Sequence, residues 1–279
     1  MTSNNAAAGG PEITSEAASR LLEGLTAIVA IAAAATIAKP GTEVERRFKA
    51  DQSPVTAADE AAEAVILEGL AKLLPGLPVV AEESVGRAPS DLGRSFAIVD
   101  PLDGTKEFIA GRDEFTVNLA IATHGIPVVG LIAAPAQGVL WRGVPGYGAE
   151  RLKMRWSDGT ILDRATIRTR PAPGTLTVAV SRSHMDKESE AWLARFPSTE
   201  RYPCGSSVKF CHIAEGKADL YPRLGPTAEW DIAAGCAVLA AAGGIVTDPQ
   251  GGPLRFGSGG KFLVPGFIAW GDPARAARG

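Results

Sequence analysis

The segment IVDPLDGTKEFIAG, residues 98–111, constrains this chain more than any other. The apolar run SFAIV leads into it and ends in two acids, Asp100 and Asp103. Pro101 fixes its own φ and bends the backbone between them, and Gly104 removes a side chain just after them. Like charges held close destabilise each other unless something positive lies between them. A fold that keeps this loop must therefore supply a cation to it. Thr105, Lys106 and Glu107 could open a helix whose first N–H groups face an anion. The Leu102 carbonyl, lying between the acids, could bind a cation as well.

Composition narrows the kind of cation. The chain has 279 residues, 46% hydrophobic and 21% charged, with a net charge of −3. It is long enough for one large domain or two lobes sharing a core, and it has no basic excess to suggest nucleic acid. Its cysteines, Cys204, Cys211 and Cys236, match neither a disulfide framework nor a zinc site and read as buried small residues. The histidines, His124, His184 and His212, are scattered. Any metal must then be held by oxygen, which favours a hard ion such as Mg²⁺.

Helical patterning covers residues 14–38, stopped by KPG at Lys39–Gly41. Its charge-free part, Gly24–Ala38, is shorter than a membrane span, and Glu16 and Glu23 stand where a signal peptide would carry positive charge. A second helix opens at Thr56 or Asp59 and runs to Leu74. PVVAEES and SFAIVD read as strands, and residues 115–152 as an antiparallel meander. A further hairpin turns at Asp158-Gly159, and PAPG at Pro171–Gly174 reads as a hinge. Beyond it come the strand TLTVAVSRSH, the helix KESEAWLARF, a Gly-Ser loop leading into a helix and a strand, and a helix that begins at Asp231 and ends at Gly243-Gly244. The expected organisation is a flexible extension over residues 1–18, an N-terminal lobe over 19–170 and a C-terminal lobe over 171–279. The mixture of meander and helices predicts an α+β or α/β sandwich.

Acids end four of these segments: Asp59, Glu82 with Glu83, Asp100 with Asp103, and Asp231. One such acid is ordinarily a helix cap or a solvated charge. Four segments, two with paired acids, point instead to a shared oxygen-rich site. Asp100, Asp103, Glu82 and Asp231 could supply Mg²⁺ ligands, completed by phosphate and water. With phosphate on one side and two cations on the other, the loop has the layout of two-metal phosphoester hydrolysis.

The signatures EES, DPLDGT and WDIAAG resemble those of the inositol monophosphatase superfamily of magnesium-dependent, lithium-sensitive phosphatases. SPVTAADEAA, DPLDGTKEFI, EFTVN, SRSH, GSSVKFC and AEGKADLYPRLGPTAEWD are similar to its CysQ-type 3′(2′),5′-bisphosphate nucleotidase branch, over about residues 21–269. The resemblance implies a layered α/β/α/β/α sandwich of two lobes with the site between them. It implies that Glu82, Asp100, Asp103, the Leu102 carbonyl and Asp231 bind two or three Mg²⁺ ions, with Li⁺ as inhibitor. Asp59 and Thr105 would position and deprotonate the attacking water. Gly104 and Thr105 amides would hold the phosphate, and His184, Ser206, Lys209 and Arg223 the nucleotide. The implied substrate is adenosine 3′,5′-bisphosphate (PAP), or its sulfated analogue PAPS, in the cytoplasm. Two departures stand out: Val264 replaces the expected Asn in LVPGF, and the first 18 or so residues have no counterpart.

Plainer readings exist for the nucleotide-side residues. Ser206 and Ser207 could cap the helix starting near Val208, Lys209 could be a solvated charge, and Arg223, between two prolines, could form a surface ion pair. Trp192 and Trp230 read as core aromatics. Rival functions are an inositol-1-phosphate or fructose-1,6-bisphosphate phosphatase sharing the metal site, and a non-catalytic nucleotide sensor. The sequence calls for no obligate protein partner. It leaves open both a homodimer and a peripheral position at the inner face of the plasma membrane.

Overall fold

The computed structural model describes residues 12–38, 47–48, 54–182, 185–258 and 260–276. Thr14 caps α1 (Ser15–Ile37), its side chain accepting from the Ala17 amide. Ile13 is already buried; its amide donates to Ser95 Oγ at 2.9 Å and its carbonyl accepts from Thr123 Oγ1 at 2.7 Å. The extension expected to reach residue 18 is therefore shorter, because an apolar anchor and a capped helix tie residues 13–18 to the core. By length and composition α1 could cross a membrane. In the fold, Leu25, Val29, Ala32 and Ala33 pack into the core with Ile66 and Leu70 of α2 (Ala57–Leu73). A short ribbon pairs β1 (Arg47–Phe48) with β2 (Pro54–Val55).

The strands β3 (Val79–Ala81), β4 (Ser95–Asp103), β5 (Thr116–Thr123), β6 (Ile126–Ala134), β7 (Val139–Val144), β8 (Gly148–Arg155) and β9 (Thr160–Ile167) form one sheet in chain order. β3 runs parallel to β4; every later neighbour is antiparallel, as the meander pattern predicted. Alternation along the strands divides the side chains cleanly. Ala97, Val99, Leu119, Ile121 and Leu131 face α1 and α2, whereas Phe96, Ile98, Ala120, Ala122 and Ile132 face the opposite way. Between β4 and β5 lies α3 (Thr105–Ile109).

A second sheet has the order β11 (Thr199–Pro203), β10 (Leu176–Val180), β12 (Leu220–Arg223), β16 (Phe267–Trp270), β14 (Ile245–Thr247). Sandwiched between the sheets are α5 (Val208–Ala214) and α6 (Ala233–Ala241), both almost wholly buried. The outer face of the second sheet carries α4 (Lys187–Leu193), where Trp192 stacks edge-on against Trp270, and the short α7 (Pro273–Ala276). The order is α/β/α/β/α, the layered sandwich that the motifs implied. Small residues make the middle layer thin. A Cβ on Gly130 of β6 would stand 2.3 Å from the Ala234 carbonyl oxygen of α6, and one on Gly235 would stand 2.4 Å from the Phe210 ring. This explains the small residues Ala233, Ala234 and Gly235 in the first turn of α6.

On the face toward α1, the first sheet buries an arginine. Arg142 of β7 donates to Thr26 Oγ1, to Glu23 and to Glu150, each at 2.8 Å. Burial works against its charge, and these hydrogen bonds more than restore it, so its pKa is raised.

Candidate active site

Asp100 and Asp103 owe their common direction to an irregularity in β4. Residues three apart on a regular strand point to opposite faces. Here Asp100 pairs with Asn118 and Asp103 with Thr116, so three steps on β4 span two on β5. This bulge carries one extra residue and returns Asp103 to the Asp100 face. Leu102 turns the other way, into a small cluster with Ala58, Phe108 and Phe115. The Leu102 amide donates to Asp100 Oδ1 at 3.0 Å.

Register brings in Glu82. Ala81 pairs with Val99, and the Glu82 amide donates to the Val99 carbonyl at 3.1 Å, so Glu82 stands beside Asp100 one strand over. Glu82, Asp100 and Asn118 form a row across three strands, on the face that meets the middle layer. Glu83 falls on the other side, its amide bonded to Glu63 Oε2 at 2.9 Å. Asp231 approaches from the middle layer, in the turn before α6. The helix begins two residues later than the sequence suggested, at Ala233, with Ile232 as its cap residue. Asp231 is instead held by Thr227 Oγ1 at 2.7 Å. Thr227 lies on β13 (Thr227–Ala228), which pairs with β15 (Leu263–Val264). Val264, the residue replacing the expected Asn, is buried opposite Thr227.

Burial lifts the Asp100 carboxyl well above the ordinary range, reinforced by Glu82, Asp103 and Asp231. Burial and the charge of Asp231 push Asp103 up to about 6, and burial raises Asp231 as well. Lys209 opposes the shift at Asp103, and Arg223 opposes it at Asp231. These cations leave the carboxylates raised, so the cluster carries surplus negative charge. The buried Asn118 Nδ2, with no hydrogen-bond partner among the described residues, adds an unsatisfied polar atom beside it. Among the described residues no three His, Cys, Asp or Glu side chains are arranged to hold one ion by themselves. Mg²⁺ needs no such cage, since one or two carboxylates, a carbonyl, waters and a phosphate suffice. Mutual repulsion also keeps bare carboxylates apart. The donor set, all oxygen and over-charged, fits a hard divalent cation.

On the far side of the loop, Asp59 is the third residue of a capping box that starts α2. Its Oδ2 accepts from the Thr56 amide at 2.9 Å and from the Thr56 hydroxyl. Its Oδ1 lies 3.3 Å from Thr105 Oγ1, which is equally far from the Leu102 carbonyl. Burial raises the pKa of Asp59 against the pull of these bonds. Both residues that the sequence proposed as helix openers thus cooperate, Thr56 as cap and Asp59 as its reciprocal partner.

The Gly-Ser loop closes the site. Ser206 has φ 44°, a left-handed conformation, and its side chain bonds to Asp103 and to Thr116 Oγ1 at 2.7 Å. The Ser207 amide donates to Asp103 Oδ2 at 2.6 Å and its hydroxyl donates to Asn118 Oδ1 at 2.7 Å. Neither serine side chain caps α5, contrary to the plainer reading, because both are drawn across to the first sheet. Lys209 is not a solvated charge: it is buried, with Nζ 3.4 Å from the Cys204 carbonyl and 5.1 Å from the centre of the Tyr221 ring. Arg223 is half-buried and reaches the Pro226 carbonyl at 3.4 Å, with no surface ion pair among the described residues. His184 lies outside the described residues. A cavity of about 160 Å³ is lined by Asp103, Gly104, Ser206, Lys209, Arg223 and Asp231, together with Ser181 and Arg182. Sequence reasoning missed Thr116 and Asn118, although two polar residues at alternate positions of the apolar run FTVNLAIA were a signal. It missed the pair Glu114 and Arg182, for which no local signal existed.

The model of the inositol monophosphatase family matches residues 16–271. The chain belongs to the inositol monophosphatase family. Within that family it is 46% identical over 220 residues to the 3′(2′),5′-bisphosphate nucleotidase CysQ of Escherichia coli (strain K12), covering 78% of this chain and 86% of the relative. It is 45% identical to the CysQ of Salmonella typhimurium, covering 82% and 89%. The crystal structure of CysQ from Bacteroides thetaiotaomicron, a bacterial member of the family, superposes with a TM-score of 0.74 at 35% identity, covering 90% of this chain and 97% of that one. Membership makes the chain a metal-dependent phosphatase of this family.

Proposed function

We propose that this protein is a 3′(2′),5′-bisphosphate nucleotidase that hydrolyses the 3′-phosphate of PAP to give AMP and phosphate, and that it accepts PAPS as well. The observation that carries this reading is the convergence of Glu82, Asp100, Asp103 and Asp231 on one face, with Asp59 and Thr105 on the other side of the same loop. Similarity to the CysQ enzymes supports the choice of substrate.

Glu82, Asp100, Asp103, Asp231 and the Leu102 carbonyl would hold two or three Mg²⁺ ions between the two sheets, where residues 19–170 and 171–279 act as lobes. The cation, when bound, supplies Lewis-acid polarisation of the phosphoryl group and lowers the pKa of water. Thr105 Oγ1 passes its proton to Asp59 and receives one from the attacking water. Asp59 suits this task because burial brings its pKa closer to the working pH of a general base. The amides of Gly104 and Thr105 hold the phosphoryl oxygens, and positive φ at Gly104 (92°) permits their approach. Ser206, Lys209, Arg223 and His184 bind the nucleotide. Water is the nucleophile, so no phosphoenzyme forms. The activity is placed in the cytoplasm.

The test is phosphate release from PAP, inositol-1-phosphate and fructose-1,6-bisphosphate, with Mg²⁺ and with Li⁺ as competitor. PAP is expected to turn over fastest, with Li⁺ inhibiting. Faster release from either sugar phosphate replaces the reading with a sister phosphatase. Binding of PAP without release replaces it with a nucleotide sensor.

A further inference from the structure

The cavity carries three cations, and one of them is placed differently from the others. Lys209 and Arg223 sit among the metal-site acids: Lys209 faces Asp103, and Arg223 faces Asp231 and Asp103. Arg182 stands at the rim, half exposed, and its partner lies outside the carboxylate cluster. Its Nε and Nη2 donate to the two oxygens of Glu114, both at 2.6 Å. This is a bidentate fork between a residue just after β10 of the second sheet and one just before β5 of the first.

Glu114 is built into both walls of the site. Its carboxylate also accepts the Gly205 amide, next to Ser206. A Cβ on Gly205 would meet Glu114 Cβ at 2.9 Å, and one on Gly104 would meet the Glu114 carbonyl oxygen at 3.0 Å. Glu114 is thus wedged between the metal loop and the Gly-Ser loop, and only glycine fits on either side of it. An isolated exposed ion pair contributes little stability. A pair anchored this firmly fixes a guanidinium in space. Glu114 takes two of its five N–H donors, and the edge formed by Nη1 and Nη2 keeps a fork suited to phosphate.

We propose that Arg182 is a specificity-determining residue that binds the second, non-reacting phosphate of the substrate, and that Glu114 is the positioning residue holding it there. The inference rests on the nucleotidase reading. It assigns selection of bisphosphates over monophosphates to a cation other than those facing the metal ligands. Such a cation can engage a distant phosphate without competing for Asp103 or Asp231.

The experiment compares kcat and KM for PAP and for adenosine 3′-monophosphate in the wild type, Arg182→Gln, Arg182→Lys and Glu114→Gln. Wild-type preference for the bisphosphate, as kcat/KM, is expected to fall at least tenfold in Arg182→Gln, through a raised KM for PAP. Arg182→Lys should recover part of it, since a point charge lacks the fork. Glu114→Gln should lose part of it with Arg182 intact. An unchanged preference in Arg182→Gln overturns the proposal, as does an equal loss on both substrates. Should Arg182→Gln fail to fold, an unchanged preference in Arg182→Lys together with Glu114→Gln overturns it. If the wild type hydrolyses neither nucleotide, the nucleotidase reading itself has failed, a result distinct from either.

Discussion

The first sheet buries charge on both of its faces, and the two faces treat it in opposite ways. Toward α1, Arg142 is enclosed with Glu23, Glu150 and Thr26, and each of its nitrogens finds an oxygen near 3 Å. Toward the middle layer, Glu82, Asp100, Asp103 and Asp231 gather, and the pKa values of the three aspartates are raised. The first group is complete within the protein and holds α1 against the strands. The second is incomplete within the protein, and its missing charge is what it offers to a ligand. Buried charge by itself says little about function; the sign and size of what is left uncompensated says more.

Substitutions can pull this contrast apart. Asp100→Asn should reduce phosphate release by at least about a thousandfold, by losing a cation ligand and its charge. The same change should leave the metal-free protein as stable or more stable, because it relieves repulsion. Steady-state assays and calorimetric metal titration, alongside thermal melts, check both halves; near-normal turnover would remove Asp100 from the site. Arg142→Met should do the reverse, costing about 2–3 kcal/mol of stability. That is less than the roughly 3–5 kcal/mol of a fully buried pair, since Glu23 and part of Glu150 reach solvent. Chemical denaturation measures the loss, and a Tm within about 1 °C of wild type would refute the structural role.

The smallest effect is on pH dependence. A carboxylate with a raised folded-state pKa contributes stability below its unfolded value, near 3.8, and loses it as pH rises through the folded value. For Asp103 that value is about 6. The metal-free protein should therefore lose Tm as pH climbs from about 4 to about 6, and saturating Mg²⁺ should flatten the slope. A Tm that rises over this window without metal would mean that the cluster is compensated after all.

Much of this could be read from the chain, for identifiable reasons. The layers were legible because the central strands read as apolar runs punctuated by Gly and Pro, and because caps such as Thr14 and Thr56 mark helix starts. The acids were legible because apolar runs seldom end in pairs of them. Sequence spacing did not reveal how Asp100 and Asp103 come to share a face, since a bulge is set by pairing with β5. Nor could it reveal Glu114 with Arg182, 68 residues apart, each of which reads alone as a solvated charge. Ser206 and Ser207 looked like caps because local chemistry favours that role, and long-range bonds to Thr116, Asn118 and Asp103 override it.

Asp59 closes the cap of α2 with one oxygen and reaches Thr105 with the other. In the proposed mechanism, the start of a helix and the proton acceptor of the reaction are one functional group. On that mechanism a change here acts on fold and chemistry at once, and even the isosteric Asp59→Asn substitution would entangle them. A laboratory search for hardier versions of this protein should find the first turn of α2 among its least adjustable segments.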